Sequence, residues 1–168
     1  MFTRRLAKSD EYDRVIGCDY SDSMLTEARR RLDADPELRR NKRRGSKTRV
    51  DLVRCDVGKI PMRTDTIDAL HAGAAMHCWP DLESALSEIH RVLKPGGRYF
   101  ATTFLSNYFS RVNAVSGSNN NNDVSQLAFQ NFETTDILKE MVVKAGFDED
   151  KVTVELLEPA CVVIRAEK

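Results

Sequence analysis

The chain has 168 residues, 26 of them basic and 26 acidic, and a hydrophobic content of 41%. That length suits one domain with its own core, and the cancelled charge removes any bulk attraction to nucleic acid or anionic membrane. Apolar runs fall far short of the roughly 20 residues needed to cross a bilayer, and the N-terminal segment lacks the apolar stretch of a secretory signal.

In chain order, Phe2 to Ala7 reads as the last turns of a helix. Arg14 to Asp19 is a short apolar run closing on an acid, a buried strand. Ser21 and Asp22 offer N-cap chemistry for a helix whose apolar residues Met24, Leu25, Ala28 and Leu32 recur at helical spacing, ending near Pro36 to Arg40. Val50 to Asp56 is a second strand, again closing on an acid, and Ile67 to Ala74 a third. Asp81 caps a helix with Leu82, Ala85, Leu86, Ile89, Val92 and Leu93 on one face, which Lys94-Pro-Gly-Gly97 stops.

Arg98 to Phe104 is a fourth strand. Residues 105–131 read as an irregular insertion whose Asn-rich tract near 116–123 is too polar to pack. Thr134 or Thr135 caps a helix running to Ala145 and closed by Gly146. Val152 to Leu157 and Cys161 to Ala166 form a hairpin through Glu158 and Pro159. The alternation predicts an α/β fold: one domain over 1–168 with a mostly parallel sheet and a C-terminal antiparallel hairpin.

Cys18, Cys55, Cys78 and Cys161 form no C-x-x-C pair. They are expected to be buried free thiols rather than zinc ligands, in a reducing compartment. The run Arg39 to Arg49 holds seven basic residues in eleven. Without interleaved aromatics it reads as a solvated loop joining helix to strand rather than a nucleic-acid site.

Ligands of open α/β sheets bind at the carboxyl ends of the strands. Asp19 and Asp56 stand there, and a carboxylate can accept charge-assisted hydrogen bonds from the paired hydroxyls of a ribose. An acid in that place can equally cap the next helix, so each aspartate alone leaves both roles open.

The order of segments resembles the class I S-adenosylmethionine-dependent methyltransferases, in the type 11-like branch that acts on small molecules. V-I-G-C-D-Y-S-D-S-M-L, with Asp19, resembles the family's second motif, and L-V-R-C-D-V-G-K-I-P-M, with Asp56, its third. I-D-A-L-H-A-G-A-A-M-H-C-W-P resembles the strand-four motif, and S-E-I-H-R-V-L-K-P-G-G-R-Y-F the E-x-x-R-V-L-K-P-G-G signature. The A-G-A-A-M-H-C-W-P wording is particularly like uncharacterised methyltransferases of plants and algae, some of them plastid proteins.

The resemblance implies a Rossmann-like methyltransferase sandwich with S-adenosylmethionine as cofactor and a small-molecule methyl acceptor, with a quinone, lipid or other isoprenoid-like molecule among the candidates. It implies no nucleic-acid partner and no membrane span, and a cytoplasmic or plastid setting. Asp19 would bind ribose and Tyr20 lie against adenine. Asp56 and Val57 would recognise the adenine edge, and Ala72 and Gly73 line the methionine end. The alternatives make Tyr20 a partly buried aromatic and Gly73 a strand end.

His77 is the candidate general base, for an acceptor that must lose a proton; a loop histidine packed beside Trp79 is the alternative. His71 and His90 read as structural. Tyr108, Phe109, Phe129 and Phe132 would either wall an acceptor pocket or anchor the insertion.

In the family, the first strand and its G-x-G-x-G turn lie immediately before the segment matched by Phe2 to Ala7, and none of the eight glycines here follows a first strand. The chain is therefore expected to lack that strand. About four buried apolar side chains would go with it, on the order of 6–12 kcal/mol, against a typical net stability of about 5–15 kcal/mol. Marginal folding and weak or absent cofactor binding are the expectation. One rival reading is a catalytically inactive, truncated methyltransferase-like domain without cofactor binding. A nicotinamide-dependent dehydrogenase is another, against which the L-K-P-G-G segment and the hairpin speak.

Overall fold

A computed structural model describes residues 2–43, 45, 47–106, 130–158 and 161–168. The chain divides into two compact units, Met1–Asp56 and Val57–Lys168.

In the first unit, α1 (Phe2–Ser9) precedes β1 (Arg14–Asp19), α2 (Asp22–Ala34), α3 (Pro36–Arg43) and β2 (Arg49–Arg54). β1 and β2 pair in parallel, with Val15 opposite Val50 and Asp19 opposite Arg54. Helix α1 lies close over β1: a Cβ built on Gly17 would stand 2.9 Å from the Leu52 side chain and 3.1 Å from that of Thr3.

Helix α3 corrects the sequence reading, which ended one helix near Pro36 to Arg40. α2 stops at Ala34, and Pro36 begins a new helix at the position where its fixed φ and missing N–H cost nothing. Asp35 makes the break. Its Oδ1 accepts from the amides of Glu37 and Leu38 at 2.9 and 3.2 Å, capping α3. Its Oδ2 meets Lys8 Nζ at 3.0 Å and Arg4 Nε at 3.4 Å, tying α1 to the same corner. Part of the basic run is thus helix rather than loop.

In the second unit, β3 (Ile67–Gly73) is followed by a 3-10 turn (Met76–Cys78), α4 (Leu82–Val92), β4 (Leu93–Phe104), α5 (Thr135–Lys144), a 3-10 turn (Glu149–Lys151), β5 (Thr153–Leu157) and β6 (Cys161–Glu167). The sheet order is β3-β4-β6-β5, parallel between β3 and β4 and antiparallel beyond. The expected hairpin is β5–β6; Pro159 lies outside the described residues.

Asp81 and Thr134 cap α4 and α5 as their sequences suggested, and Gly146 sits past the end of α5 at φ 109°. Leu86, Ile89, Val92, Leu93, Leu138, Val142, Val162 and Ile164 are fully buried and form the core of this unit.

Two further expectations need correction. Lys94 to Gly97 does not merely stop α4. The β3–β4 register jumps from Ile67 opposite Leu93 to Ala69 opposite Arg98, so four residues bulge against one. Gly96 takes φ 76° there and donates its amide to Lys168 O at 2.7 Å. The cysteines, expected to be buried, are not: Cys18 and Cys78 are exposed and Cys55 and Cys161 half-buried, because their strands and turns face solvent at those positions.

Candidate functional site

In the first unit, the parallel pairing brings the carboxyl ends of β1 and β2 side by side, each followed closely by an acid. Asp19 closes β1 and stands half-buried opposite Arg54. Cys55 N donates to Asp19 O at 3.0 Å, which continues the ladder to the residue before Asp56. Asp19 Oδ1 accepts from the Ser21 amide at 2.9 Å, while Ser21, not Asp19, is the N-cap of α2. The local hydrogen bond holds the carboxylate at the strand tip, and the capping role considered for Asp19 falls to its neighbour. Asp56 is exposed two residues beyond β2.

Tyr20 is 68% exposed, which removes the reading of a partly buried aromatic. Its position is set by Arg54, a residue the sequence reading missed. Arg54 Nε donates to Tyr20 O at 3.2 Å, its Cζ stands 5.4 Å from the centre of the Tyr20 ring, and Nη1 pairs with Asp22 Oδ2 at 3.0 Å. Only the register, which sets the two acid-ended strands two residues out of step, puts Arg54 beside Asp19. The two carboxylates can accept hydrogen bonds and Tyr20 offers an aromatic face, residue types suited to a nucleoside.

A surface cleft of about 260 Å³ lined by Asp10, Tyr12, Asp13, Gly45, Lys47 and Thr48 lies at the opposite, amino end of these strands. It is not where strand tips present ligands.

In the second unit, Val57 is half-buried and leads into a segment gripped from α4. Ile60 N donates to Glu88 Oε2 at 2.8 Å. Arg91 donates to Ile60 O and Met62 O, both at 3.0 Å, while its Nε bonds Glu88 Oε1 at 2.6 Å. The E-x-x-R of the signature is therefore a clamp on residues 60–62. Arg91 holds the Glu88 carboxyl below its usual range, against the opposing effect of burial.

Ala72 is buried, and Gly73 is exposed at the end of β3. The chain turns sharply just after it, with Ala74 at φ 50° and its amide donating to Thr102 Oγ1 at 2.9 Å. His77 sits in the 3-10 turn, half-buried. Its Nδ1 lies 3.4 Å from Thr103 Oγ1 and its ring meets Phe104 edge-on at 5.6 Å. Burial holds its pKa below the ordinary histidine value, so it is neutral and able to accept a proton at pH 7.

His71 stacks on Phe100 at 5.4 Å, and His90 meets Phe147 edge-on at 5.0 Å, both within packed surroundings. Phe132 is fully buried, and its carbonyl accepts from Ser106 N at 2.8 Å. Tyr108, Phe109 and Phe129, and the Asn-rich tract, lie outside the described residues. Among the described residues no cluster of three or more His, Cys, Asp or Glu is placed to hold a metal, and no helix is long and apolar enough to cross a membrane.

The family described as a methyltransferase domain matches residues 1–101. An uncharacterized chloroplastic methyltransferase of Arabidopsis thaliana is 42% identical over 105 residues, 62% of this chain and 28% of the relative. A demethylmenaquinone methyltransferase of Symbiobacterium thermophilum is 37% identical over 89 residues, 51% of this chain and 31% of the relative. The chain thus spans less than a third of the length of either. The solved structure of a SAM-dependent methyltransferase from Methanosarcina mazei superimposes with a TM-score of 0.71 at 17% identity, covering 98% of this chain and 85% of that one, and so shares its fold. With more than half of its residues matched, the chain belongs to the methyltransferase domain family, in the type 11 branch of the class I S-adenosylmethionine-dependent methyltransferases.

Proposed function

We propose that this chain serves S-adenosylmethionine-dependent methyl transfer to a small organic acceptor. The observation that carries the reading is the pair of acids at the adjoining carboxyl ends of β1 and β2, with Tyr20 exposed beside Asp19. The Asp19 carboxylate accepts from the ribose hydroxyls, the Tyr20 ring covers an adenine face, and Asp56 with the Val57 amide reads the adenine edge. The bound cofactor supplies an electrophilic methyl group on a sulfonium. The protein's part is to orient it and to exclude water.

Two further assignments belong to the second unit and stand on their own. Ala72 and Gly73 admit the methionine portion, where small side chains let backbone come close. His77, kept neutral by burial, takes the proton of an acceptor hydroxyl or amine. The demethylmenaquinone methyltransferase among the relatives supports a quinone-like acceptor, and the chloroplastic relative supports a plastid setting.

Calorimetric titration of the chain with S-adenosylhomocysteine tests the nucleoside part. Saturable binding would bear this reading out against the weak or absent binding expected of a chain without the first strand, and Asp19→Ala and Asp56→Ala should each weaken it about ten-fold or more, the loss of hydrogen bonds to a charged acceptor at roughly 1.5–3 kcal/mol. Saturable binding that both variants retain unchanged would remove the acids from the site.

A further inference from the structure

We propose that Cys18 and Cys55 form a redox-responsive thiol pair whose reversible oxidation to a disulfide weakens nucleoside binding at the neighbouring acids. The weakening rests on the nucleoside reading above; the disulfide does not.

The β1–β2 register puts Cys18 opposite Val53, so Cys55 is its diagonal neighbour on the same face. That diagonal brings side chains into contact elsewhere in this sheet: Arg14, opposite Arg49, reaches diagonally to Asp51 with Nε–Oδ2 at 2.6 Å. Cys55 is close enough to Cys18 to add to the upward push on its thiol. Cys55 Sγ also faces Asp56 O at 3.2 Å, and Cys55 N is bonded to Asp19 O. Each cysteine immediately precedes one of the two acids. Cys18 is exposed and Cys55 half-buried, so neither cysteine is sealed in the core.

The pair is asymmetric. Although Cys18 presents surface to solvent, the shielding of its sulfur, ahead of Cys55 and Asp19, pushes its thiol up to about 12, so it keeps its proton. Cys55 is assigned the attack on the oxidant. Its sulfur attacks one oxygen of hydrogen peroxide, the O–O bond breaks, and a sulfenic acid and water form. The Cys18 sulfur then attacks the sulfenic sulfur, the S–O bond breaks, and a second water leaves with the Cys18 proton. Two thiols and one peroxide give one disulfide and two waters; a dithiol reductant reverses the outcome by exchange.

Oxidation would also move backbone. Cys55 stands one residue past the end of β2, diagonal to Cys18 rather than opposite it, whereas a disulfide needs Cα atoms about 4.4–6.8 Å apart. Closing the bond draws the two strand tips together, and Asp19 and Asp56 move with them.

The test uses the full chain, treated with hydrogen peroxide, capped with iodoacetamide and digested for mass spectrometry. The expected result is a linked peptide joining Cys18 to Cys55, short of two hydrogens and cleaved by dithiothreitol, with Cys78 and Cys161 capped. Full capping of Cys18 and Cys55, or sulfinic acid on either with no linked peptide, would overturn the site whether or not the chain binds a nucleoside.

Titration of the reduced and oxidised chain with S-adenosylhomocysteine then reads the consequence. At least a ten-fold loss of affinity on oxidation is expected, restored by dithiothreitol and absent in Cys18→Ser and Cys55→Ser. A linked chain with unchanged affinity would overturn the control of binding. The peptide map needs only the wild-type chain, so a variant that fails to fold does not spoil it.

Discussion

Tyr99 shows how one side chain can be at odds with its surroundings. Its ring is fully buried and stacked against Phe147 at 5.9 Å, yet its hydroxyl has no hydrogen-bond partner among the described residues. Burial pushes the phenol up, so it carries no charge at any ordinary pH. A buried hydroxyl without a partner costs about 1–3 kcal/mol of desolvation, whereas removing it leaves a shape the core already accommodates. Tyr99→Phe is therefore expected to be neutral or to stabilise by up to about 1 kcal/mol, read as an unchanged or raised Tm. A clear loss would mean that the hydroxyl is bonded to a water. Nothing in the R-Y-F-A pattern announces this, because a tyrosine on a strand looks the same with or without a partner.

At the level of elements, the Lys94 to Gly97 bulge depends on glycine for two different reasons. Gly96 has positive φ, while Gly97 lacks room: a Cβ there would stand 2.7 Å from Lys94 O, 3.1 Å from Lys94 N and 3.2 Å from Ile67 O. All three are backbone atoms that cannot turn aside. Gly97→Ala should destabilise by about 1–3 kcal/mol, seen as a lower denaturant midpoint at unchanged slope. An unchanged midpoint would show that the bulge can reshape freely.

Most element positions could be read from periodicity and caps, and α4, α5 and β4 each bury one patterned face. α3 could not. Its sequence P-E-L-R-R-N-K-R has almost no apolar face, and what starts it is the Asp35 cap and the ion pairs to α1 rather than any pattern within it. The burial of the cysteines was misjudged for a related reason: apolar neighbours along a strand do not say which face is covered.

The acids of the site were readable as strand ends. Arg54, Glu88 and Arg91 were not identified as the residues that set local geometry, because their roles depend on strand register and on a helix returning to a distant segment. Register is a long-range property.

Over the whole molecule, acid should undo the fold in two stages. Burial holds His71, His77 and His90 below the ordinary value of 6.5. The unfolded chain therefore takes up protons that the folded chain refuses, and stability falls as pH drops below about 6.5. The carboxylates act lower. Glu88 is depressed by Arg91 from the ordinary 4.5. For Asp35, burial works the other way but is outweighed by Lys8 and the amides of Leu38 and Glu37, leaving it below 3.8. Their contribution is present above those ordinary values and is lost as pH falls through the depressed ones. Urea midpoints measured from pH 8 to pH 3 should stay level near neutrality, decline from about pH 6.5 and decline again below about pH 4.5. A level profile down to pH 5 would show that the histidines are hydrated.

The Arg91 guanidinium shares its donors among Ile60 O, Met62 O and both oxygens of Glu88. Because that group is rigid and flat, the segment beyond Val57 takes its orientation from the tilt of one plane rather than from several independent tethers. Any repacking of α4 that rotates this plane would carry both carbonyls with it, so the far side of a helix can steer a stretch of chain some thirty residues earlier in the sequence.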